Sequence, residues 1–209
     1  MIKQFLVVFA LLVSQYAFGQ FDPEAKEVLD RMSAKYRQVS AFSAGFEQTL
    51  INESADINET MAGAITVKGA KYILDIAGQK IYNNGTDVWS YNEEFGEVTI
   101  SAYEEEDQEI SLNNIWDIYQ EGFKYILMAD NDQGNQVIDL DTVDRNKSYF
   151  KIRMMIGQDN SLNSFIVFEN GGNQYRYTIK DFTEKANLTD ASFTFNPADY
   201  PGVEIIDFR

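Results

Sequence analysis

The chain has 209 residues, of which 44% are hydrophobic, and this suits one domain whose core needs no covalent staples. Its formal net charge is −16, which repels nucleic acid and anionic lipid surfaces, so we expect no nucleic-acid partner. The sequence contains no cysteine and no histidine. This excludes disulfides, a thiol nucleophile, a lipid-modified cysteine, Ser-His-Asp catalysis and nearly all zinc sites.

The N-terminus has the pattern of a secretory signal peptide. Lys3 supplies a positive start, residues 5–13 form an apolar run, and Ala17 and Gly19 are small residues at the positions that a signal peptidase reads. A membrane-spanning helix would need about 20 apolar residues, and this run is shorter. We therefore predict a cleaved signal peptide at 1–19, a single domain at 20–209 and a periplasmic location.

A helix and several strands are predicted to follow. Asp22 suits the N-cap, Pro23 suits the first helical position, and the segment ends near Ser40. Its apolar stripe consists of Ala25, Val28, Leu29, Met32 and Tyr36. Alternating polar and apolar residues then predict strands at 42–50, 61–67 and 72–76.

The middle of the chain predicts a hairpin, a strand and a second helix. Ile81-Tyr82 and Val88-Trp89 flank Asn84-Gly85, two residues that tolerate positive φ, and 98–103 is a further strand. After an acidic run at 104–109, Ser111 is predicted to cap an amphipathic helix that ends near Met128. Its bulky apolar stripe consists of Leu112, Ile115, Trp116, Tyr119 and Phe123.

The remaining segments predict strands again, for a total of about ten. They lie at 137–143, 150–156, 165–168, 175–179 and 193–195, and a hairpin loop at 170–173 joins two of them. Breaks at 196–197 and 201–202 then precede the apolar residues Val203, Ile205 and Ile206. Short links favour antiparallel pairing, and a sheet of this many strands curls or closes. The predicted fold class is therefore α+β and mainly antiparallel β, with the second helix lying across an open mouth.

Four segments, in this order, resemble motifs of the periplasmic outer-membrane lipoprotein carriers, the LolA family. Residues 42–48 (FSAGFEQ) resemble the family's F-x-A-x-F-x-Q strand, and 63–68 (GAITVK) resemble G-x-L-x-V-K. Residues 84–91 (NGTDVWSY) resemble D-G-x-x-L-W-x-Y. The C-terminal 193–207 resembles F-x-F…P-x-G-V-x-V-x-D.

The resemblance implies a half-open β-barrel, covered by amphipathic helices, that encloses an apolar cavity for acyl chains. It implies a non-enzymatic, monomeric carrier without a cofactor. Such a carrier takes acylated lipoproteins from an inner-membrane release complex and passes them to an outer-membrane acceptor.

One position departs from the family pattern. Well-studied members have an Arg-Pro pair after the V-K strand, and that arginine bonds to the helical lid. Here Lys68 is followed by Gly69-Ala70. Lys68 or Lys71 could replace the arginine, or apolar contact alone could hold the lid.

The resemblance and the apolar alternation together nominate a lipid-binding set. Large side chains suit this role because an acyl chain offers few polar groups to grip. Each residue could equally be an ordinary member of the core. The nominated residues are Phe46, Ile65, Tyr72, Leu74, Trp89, Tyr91, Ile100, Leu112, Ile115, Trp116, Tyr119, Phe123, Ile152 and Met154.

Two other kinds of function remain open at this point. A related barrel could carry a free lipid or glycolipid, or sense envelope stress. A carboxylate-based hydrolase has only the abundance of Asp and Glu in its favour. The spacing of Asp130, Asp132 and Asp141 partly resembles a calcium-binding loop. The acid at the fifth position and the glycine at the sixth position of such a loop are missing, so no metal site is predicted.

Overall fold

The helix predicted at the start of the domain is present in the computed structural model, which describes residues 22–104, 110, 114–185 and 187–209. The helix α1 spans Pro23–Arg37, and the Asp22 carboxylate accepts hydrogen bonds from the backbone N–H groups of Glu24 and Ala25. The predicted apolar stripe is buried. The predicted signal peptide lies outside the described residues, among which no helix is long and apolar enough to cross a membrane.

Twelve strands of the described residues form one sheet in the order β12-β6-β5-β4-β3-β2-β1-β11-β10-β9-β8-β7. All neighbours pair antiparallel except β12, which runs parallel to β6. The sheet stays open, with β12 and β7 at its edges, so the prediction of a mainly antiparallel sheet that does not close completely is confirmed. The strands are β1 (Phe42–Asn52), β2 (Ile57–Lys68), β3 (Lys71–Ile76), β4 (Gln79–Asn83), β5 (Asp87–Asn92), β6 (Glu97–Ala102), β7 (Phe123–Leu127), β8 (Gln136–Thr142), β9 (Tyr149–Ile156), β10 (Leu162–Glu169), β11 (Gln174–Glu184) and β12 (Glu204–Asp207).

The prediction of a second amphipathic helix is wrong over those residues of the segment that the structure describes. Residues 114–117 form turns, Ile118–Gln120 is a 3₁₀ turn, and the edge strand β7 begins at Phe123. Gly122 has φ +79°, which no helix accommodates, and after it buried and exposed residues alternate as in a strand. The apolar spacing that suggested a helix therefore spans a turn and a strand.

The predicted strand at 193–195 is also wrong. Asp190–Phe193 is a 3₁₀ turn, and Pro197–Asp199 is another. Two alternating aromatics are too few to define a strand, and Pro197 cannot donate to a ladder. The segment crosses the sheet instead of pairing with it, and the chain pairs again only at β12.

The two faces of the sheet carry separate apolar clusters. The face that packs against α1, here called the inner face, holds the main cluster. The outer face at β3–β6 holds a second cluster, covered by side chains of residues 195–203. We call residues 189–203 the C-terminal crossing. The register of the strands decides which residues reach each face.

Candidate functional site

An apolar wall runs across the inner face from β1 to β4. Ala44 pairs with Ile65, Ile65 with Leu74, and Leu74 with Ile81, so these four residues form one row. Ala44 and Ile65 are buried, whereas Leu74 and Ile81 are only half-buried. The wall therefore begins beneath α1 and becomes progressively more accessible towards β4.

A close approach of two motif residues shapes this wall. Phe46 pairs with Gly63, and the Phe46 ring lies directly over the glycine. A Cβ atom at Gly63 would fall 2.8 Å from Cε1 and 2.9 Å from Cε2 of the ring, well inside van der Waals contact. A side chain at residue 63 would therefore have to displace the Phe46 ring, which belongs to the neighbouring motif.

Residues 114–120, here called the cover segment, lie over one end of the wall. Ile115 is fully buried, and Trp116 stacks on Tyr36 of α1 with ring centroids 4.7 Å apart. The edge of Trp116 meets Phe42 at 5.4 Å. Tyr36 is a fixed platform for this stack, because its hydroxyl accepts a hydrogen bond of 3.0 Å from the Leu162 N–H on β10.

Polar contacts on the surface of α1 hold the cover segment. The Asp117 carboxylate accepts hydrogen bonds from Ser33 at 2.5 Å and from Arg37 at 3.3 Å. The Tyr119 hydroxyl donates to Asp30 at 2.7 Å. Burial and the neighbouring Asp30 both raise the pKa of Tyr119, so it stays a neutral donor. These hydrogen bonds join the segment to α1 and not to the sheet.

Trp116 and its neighbours enclose a small apolar pocket. The pocket measures about 10 Å³, which is room for about one water molecule. It is lined by Tyr36, Phe42, Ala44, Gly45, Phe46, Ile65, Trp116, Ile179 and Phe182. An acyl chain does not fit this space, so the pocket as it stands is not the apolar cavity that the resemblance implies.

A bulge in β11 brings one further aromatic to the pocket. Between the pairs Gly45–Lys180 and Ser43–Thr183, β11 has one residue more than β1, and Asp181 there has φ 48°. The extra residue reverses the alternation, so Phe182 faces inward and stacks on Phe42 at 4.9 Å. Phe182 is 36% exposed, which makes it an apolar side chain at the rim of the site.

The structure brings ten of the nominated lipid-binding residues together in or against the main cluster on the inner face. Ile152 and Met154 are completely buried on β9, and Phe123 is buried at the start of β7. Leu112 lies outside the described residues. The ten are Phe46, Ile65, Tyr72, Leu74, Ile115, Trp116, Tyr119, Phe123, Ile152 and Met154.

The other three nominated residues, Trp89, Tyr91 and Ile100, lie on the outer face. They belong to the second cluster, where Tyr91 contacts Tyr200 of the C-terminal crossing at 4.4 Å. The sheet separates them from the pocket. Their contacts hold the crossing against β3–β6, and they cannot line the same space as Phe46.

Lys68 and Lys71 bind the C-terminal crossing and its approach. Lys68 Nζ donates to the Leu188 carbonyl oxygen at 2.8 Å and to Asp190 at 2.9 Å, and Lys71 lies 2.7 Å from Asp190. Lys71 and Lys68 together lower the pKa of Asp190 to about 2. Gly69, with φ +59°, makes the two-residue hairpin between the two lysines. The lysines therefore do not hold the cover segment, which relies on apolar contact and on Asp117 and Tyr119.

Sequence reasoning did not nominate several residues of the pocket. Phe42 and Ala44 alternate with Phe46 and could have been found from that pattern. Tyr36 belongs to the helical stripe. The inward turn of Phe182 has no sequence signal, since it depends on the bulge. Among the described residues, no group of three or more Asp or Glu side chains is placed to hold a metal ion.

The open antiparallel sheet with its covered apolar pocket defines a class of protein. Comparison with known proteins identifies that class. The family model described as outer membrane lipoprotein carrier protein LolA matches residues 37–196, and the chain belongs to this family. Comparison with curated proteins gave no match.

Solved structures with the same fold differ widely in sequence. An uncharacterized conserved protein from Thermus thermophilus has a TM-score of 0.57 and 12% identity, over 88% of this chain and 99% of that one. The Mycobacterium tuberculosis lipoprotein LppX has a TM-score of 0.50 and 9% identity, over 80% of this chain and 100% of that one. At these identities the likeness concerns the fold alone.

Proposed function

We propose that this protein is a periplasmic carrier that binds the acyl chains of lipoproteins on its inner face and shuttles them from the inner to the outer membrane. The observation that carries the proposal is the apolar wall from Ala44 to Ile81, which passes from buried to half-buried beneath a cover that Trp116 closes. Membership of a carrier family supports it.

The energetics favour such a site. Burying an acyl chain gains about 0.8 kcal/mol per methylene group, so a long chain can offset the loss of the Trp116 contacts. Leu74, Ile76 and Ile81 are already partly accessible and offer a first surface for the chain. Movement of Trp116 would then extend this surface to Phe42, Phe46 and Phe182. A site that must be opened also releases its ligand when the cover returns.

In this proposal the partners are acylated lipoproteins, an inner-membrane release complex and an outer-membrane acceptor. The carrier acts as a monomer of residues 20–209 after export, and it carries out no bond-making step. The strongly acidic surface suits a protein that approaches anionic membranes without settling on them.

The two tryptophans provide a test with a built-in control, because one lies in each apolar cluster. In Trp89→Phe, Trp116 is the sole indole reporter, and a triacylated lipopeptide should change its emission as it leaves the stack on Tyr36. In Trp116→Phe, Trp89 should report no change. A lipopeptide that alters neither emission, or that alters Trp89 alone, would contradict the proposal.

The variant Trp116→Asp tests whether residue 116 belongs to a movable cover or to the folded core. A charge facing the apolar wall is costly to bury, so lipopeptide affinity should fall by at least about tenfold. The free energy of unfolding should fall by less than an interior Phe→Ala change would cause, because the cover can turn outward. Complete unfolding of Trp116→Asp would instead place residue 116 in the indispensable core.

A related carrier of free lipid or glycolipid, or an envelope-stress sensor, is the alternative. It is favoured by Gly69, which replaces the family's lid-binding arginine, and by the use of Lys68 and Lys71 on another segment. Native mass spectrometry of protein from the periplasm distinguishes the two, since a lipoprotein and a free lipid differ in mass. Normal lipoprotein sorting after depletion of the protein would favour the alternative.

A further inference from the structure

A groove on the outer face lies on the side of the sheet opposite the acyl-chain wall. It crosses β8–β11 and has a volume of about 580 Å³, within the range of about 300–1,000 Å³ that small-molecule sites occupy. Its floor is apolar: Val137, Met155 and Ile166 are each less than 10% exposed and form a small cluster of their own. The groove does not share these residues with the inner face.

The loop after β7 forms one wall, and internal hydrogen bonds fix its shape. Asn131 Oδ1 accepts hydrogen bonds from the N–H groups of Gln133 and Asn135 at 3.1 and 2.9 Å. Gln158 also donates to the Gly134 carbonyl oxygen at 3.0 Å. The wall is therefore preorganised, and a ligand would not have to order it.

The charges along the groove are uneven. Asp139, Arg153, Ile166 and Arg176 form one cross-strand row on the outer face. Arg153 donates two hydrogen bonds to Asp139, at 2.6 and 2.8 Å, so its charge is compensated. Burial opposes the ionisation of Asp139, but the bonds from Arg153 and Lys151 prevail and keep its pKa below the ordinary value.

Arg176, on the other side of Ile166, has no such partner. It forms no ion pair with any residue that the structure describes, although the chain carries 33 acidic and only 17 basic residues. Ser164 and Thr178 pair directly across β10 and β11 and line the same groove. One free guanidinium and two hydroxyl groups thus stand beside an apolar floor.

We propose that this groove binds a small anionic amphiphile. Its carboxylate or phosphate would accept hydrogen bonds from Arg176, Ser164 and Thr178, and its short apolar part would lie on Val137, Met155 and Ile166. Arginine suits such anions because its planar group donates two parallel hydrogen bonds. The proposal concerns the outer face and does not depend on acyl-chain transport by the inner face.

Methionine methyl signals make the test specific to one face. Met128 and Met155 line the groove, whereas Met32 and Met154 are completely buried in the inner cluster. We would titrate the full exported protein, labelled at the methionine methyl groups, with octanoate and separately with octyl phosphate. The signals of Met128 and Met155 should shift while those of Met32 and Met154 stay in place. The relative affinities of the two probes tell a carboxylate ligand from a phosphate ligand.

Variants of two exposed arginines complete the test. Arg176→Gln should weaken octanoate binding about tenfold, the loss expected for one charge-assisted contact. Arg145→Gln, in the turn between β8 and β9, should leave it unchanged. Octanol should bind more weakly than octanoate and should not respond to Arg176→Gln. Equal binding by wild type and Arg176→Gln, or shifts confined to Met32 and Met154, would overturn the proposal.

Discussion

Strands β7–β11 and strands β3–β6 differ in which face of the sheet carries the larger apolar cluster. In β8–β10 the inner face is completely buried, as Ile138, Ile152 and Phe165 show. In β3–β6 the outer face is buried instead, with Trp89 and Val98 beneath the C-terminal crossing. One continuous sheet thus has two large cores, each on the side where a non-strand segment covers it, besides the small outer-face cluster on β8–β10.

The difference explains where the molecule keeps accessible apolar surface. The inner face of β3 and β4 has apolar residues, because strand alternation is maintained, but α1 does not reach it fully. Leu74 and Ile81 are therefore only half-buried. The proposed ligand surface thus lies where one core ends, and not in the densely packed part of the sheet.

The largest predicted effect tests the inner core. Phe165 is 1% exposed and stacks on Tyr177 at 4.6 Å, so Phe165→Ala should lower the free energy of unfolding by about 3–5 kcal/mol. Urea unfolding followed by circular dichroism measures this loss. A loss below about 1 kcal/mol would mean that this half of the sheet is not the main core.

The matched change in the outer cluster is Phe195→Ala. Phe195 stacks on Tyr200 at 4.8 Å and meets Tyr82 at 5.8 Å. Its loss should expose the C-terminal crossing to protease, while the lipopeptide response of Trp116 stays intact. Loss of that response would show that the two clusters are coupled through the sheet.

A smaller effect is expected where the wall begins. Gly63→Ala places a methyl group against the Phe46 ring, and this overpacking should cost about 1–3 kcal/mol and weaken lipopeptide binding. In the background Phe46→Leu the same change should cost less, because a smaller side chain faces residue 63. A double-mutant cycle measures the coupling, and strictly additive effects would contradict the contact.

The sequence was sufficient for the elements whose signal is local. The cap at Asp22, the hairpin at Asn84-Gly85 and the alternation of β1 each depend on neighbouring residues. Which face of the sheet a strand residue occupies could not be predicted from its neighbours in the sequence. Trp89 and Tyr91 alternate as regularly as Phe46 and Ala44 do, and only the register of β4–β6 within the whole sheet decides that they face outward, under the C-terminal crossing.

The prediction of a helix in the cover segment was wrong for a different reason. Ile115, Trp116, Tyr119 and Phe123 have helical spacing, but Gly122 interrupts the segment and Phe123, Tyr125 and Leu127 alternate as a strand. The same residues therefore fit both a helical spacing and a strand alternation. The pairing of β7 with β8, and the hydrogen bond that the Leu127 N–H of β7 donates to the Asp22 carboxylate, decide between them, and those partners are distant in sequence.

The smallest predicted effect concerns how the C-terminal crossing is held on the outer face. The ion pairs with Lys71 and Lys68 depress the pKa of Asp190 from 3.8 to about 2. Because the folded-state pKa is the lower one, the ion pairs stabilise the crossing above pH 3.8, and this contribution is lost as the pH falls towards about 2. Asp190 is exposed, so the effect should be a local loosening.

The chain has no native cysteine, so a spin label at Thr189→Cys can report this mobility by electron paramagnetic resonance. The label should become mobile over this range while a label at Thr60→Cys on β2 stays unchanged. Adding Asp190→Asn should make the Thr189 label mobile at every pH. An identical pH transition with and without Asp190→Asn would assign the loosening to other carboxylates and leave the packing of Phe195 and Tyr200 as the main attachment of the crossing.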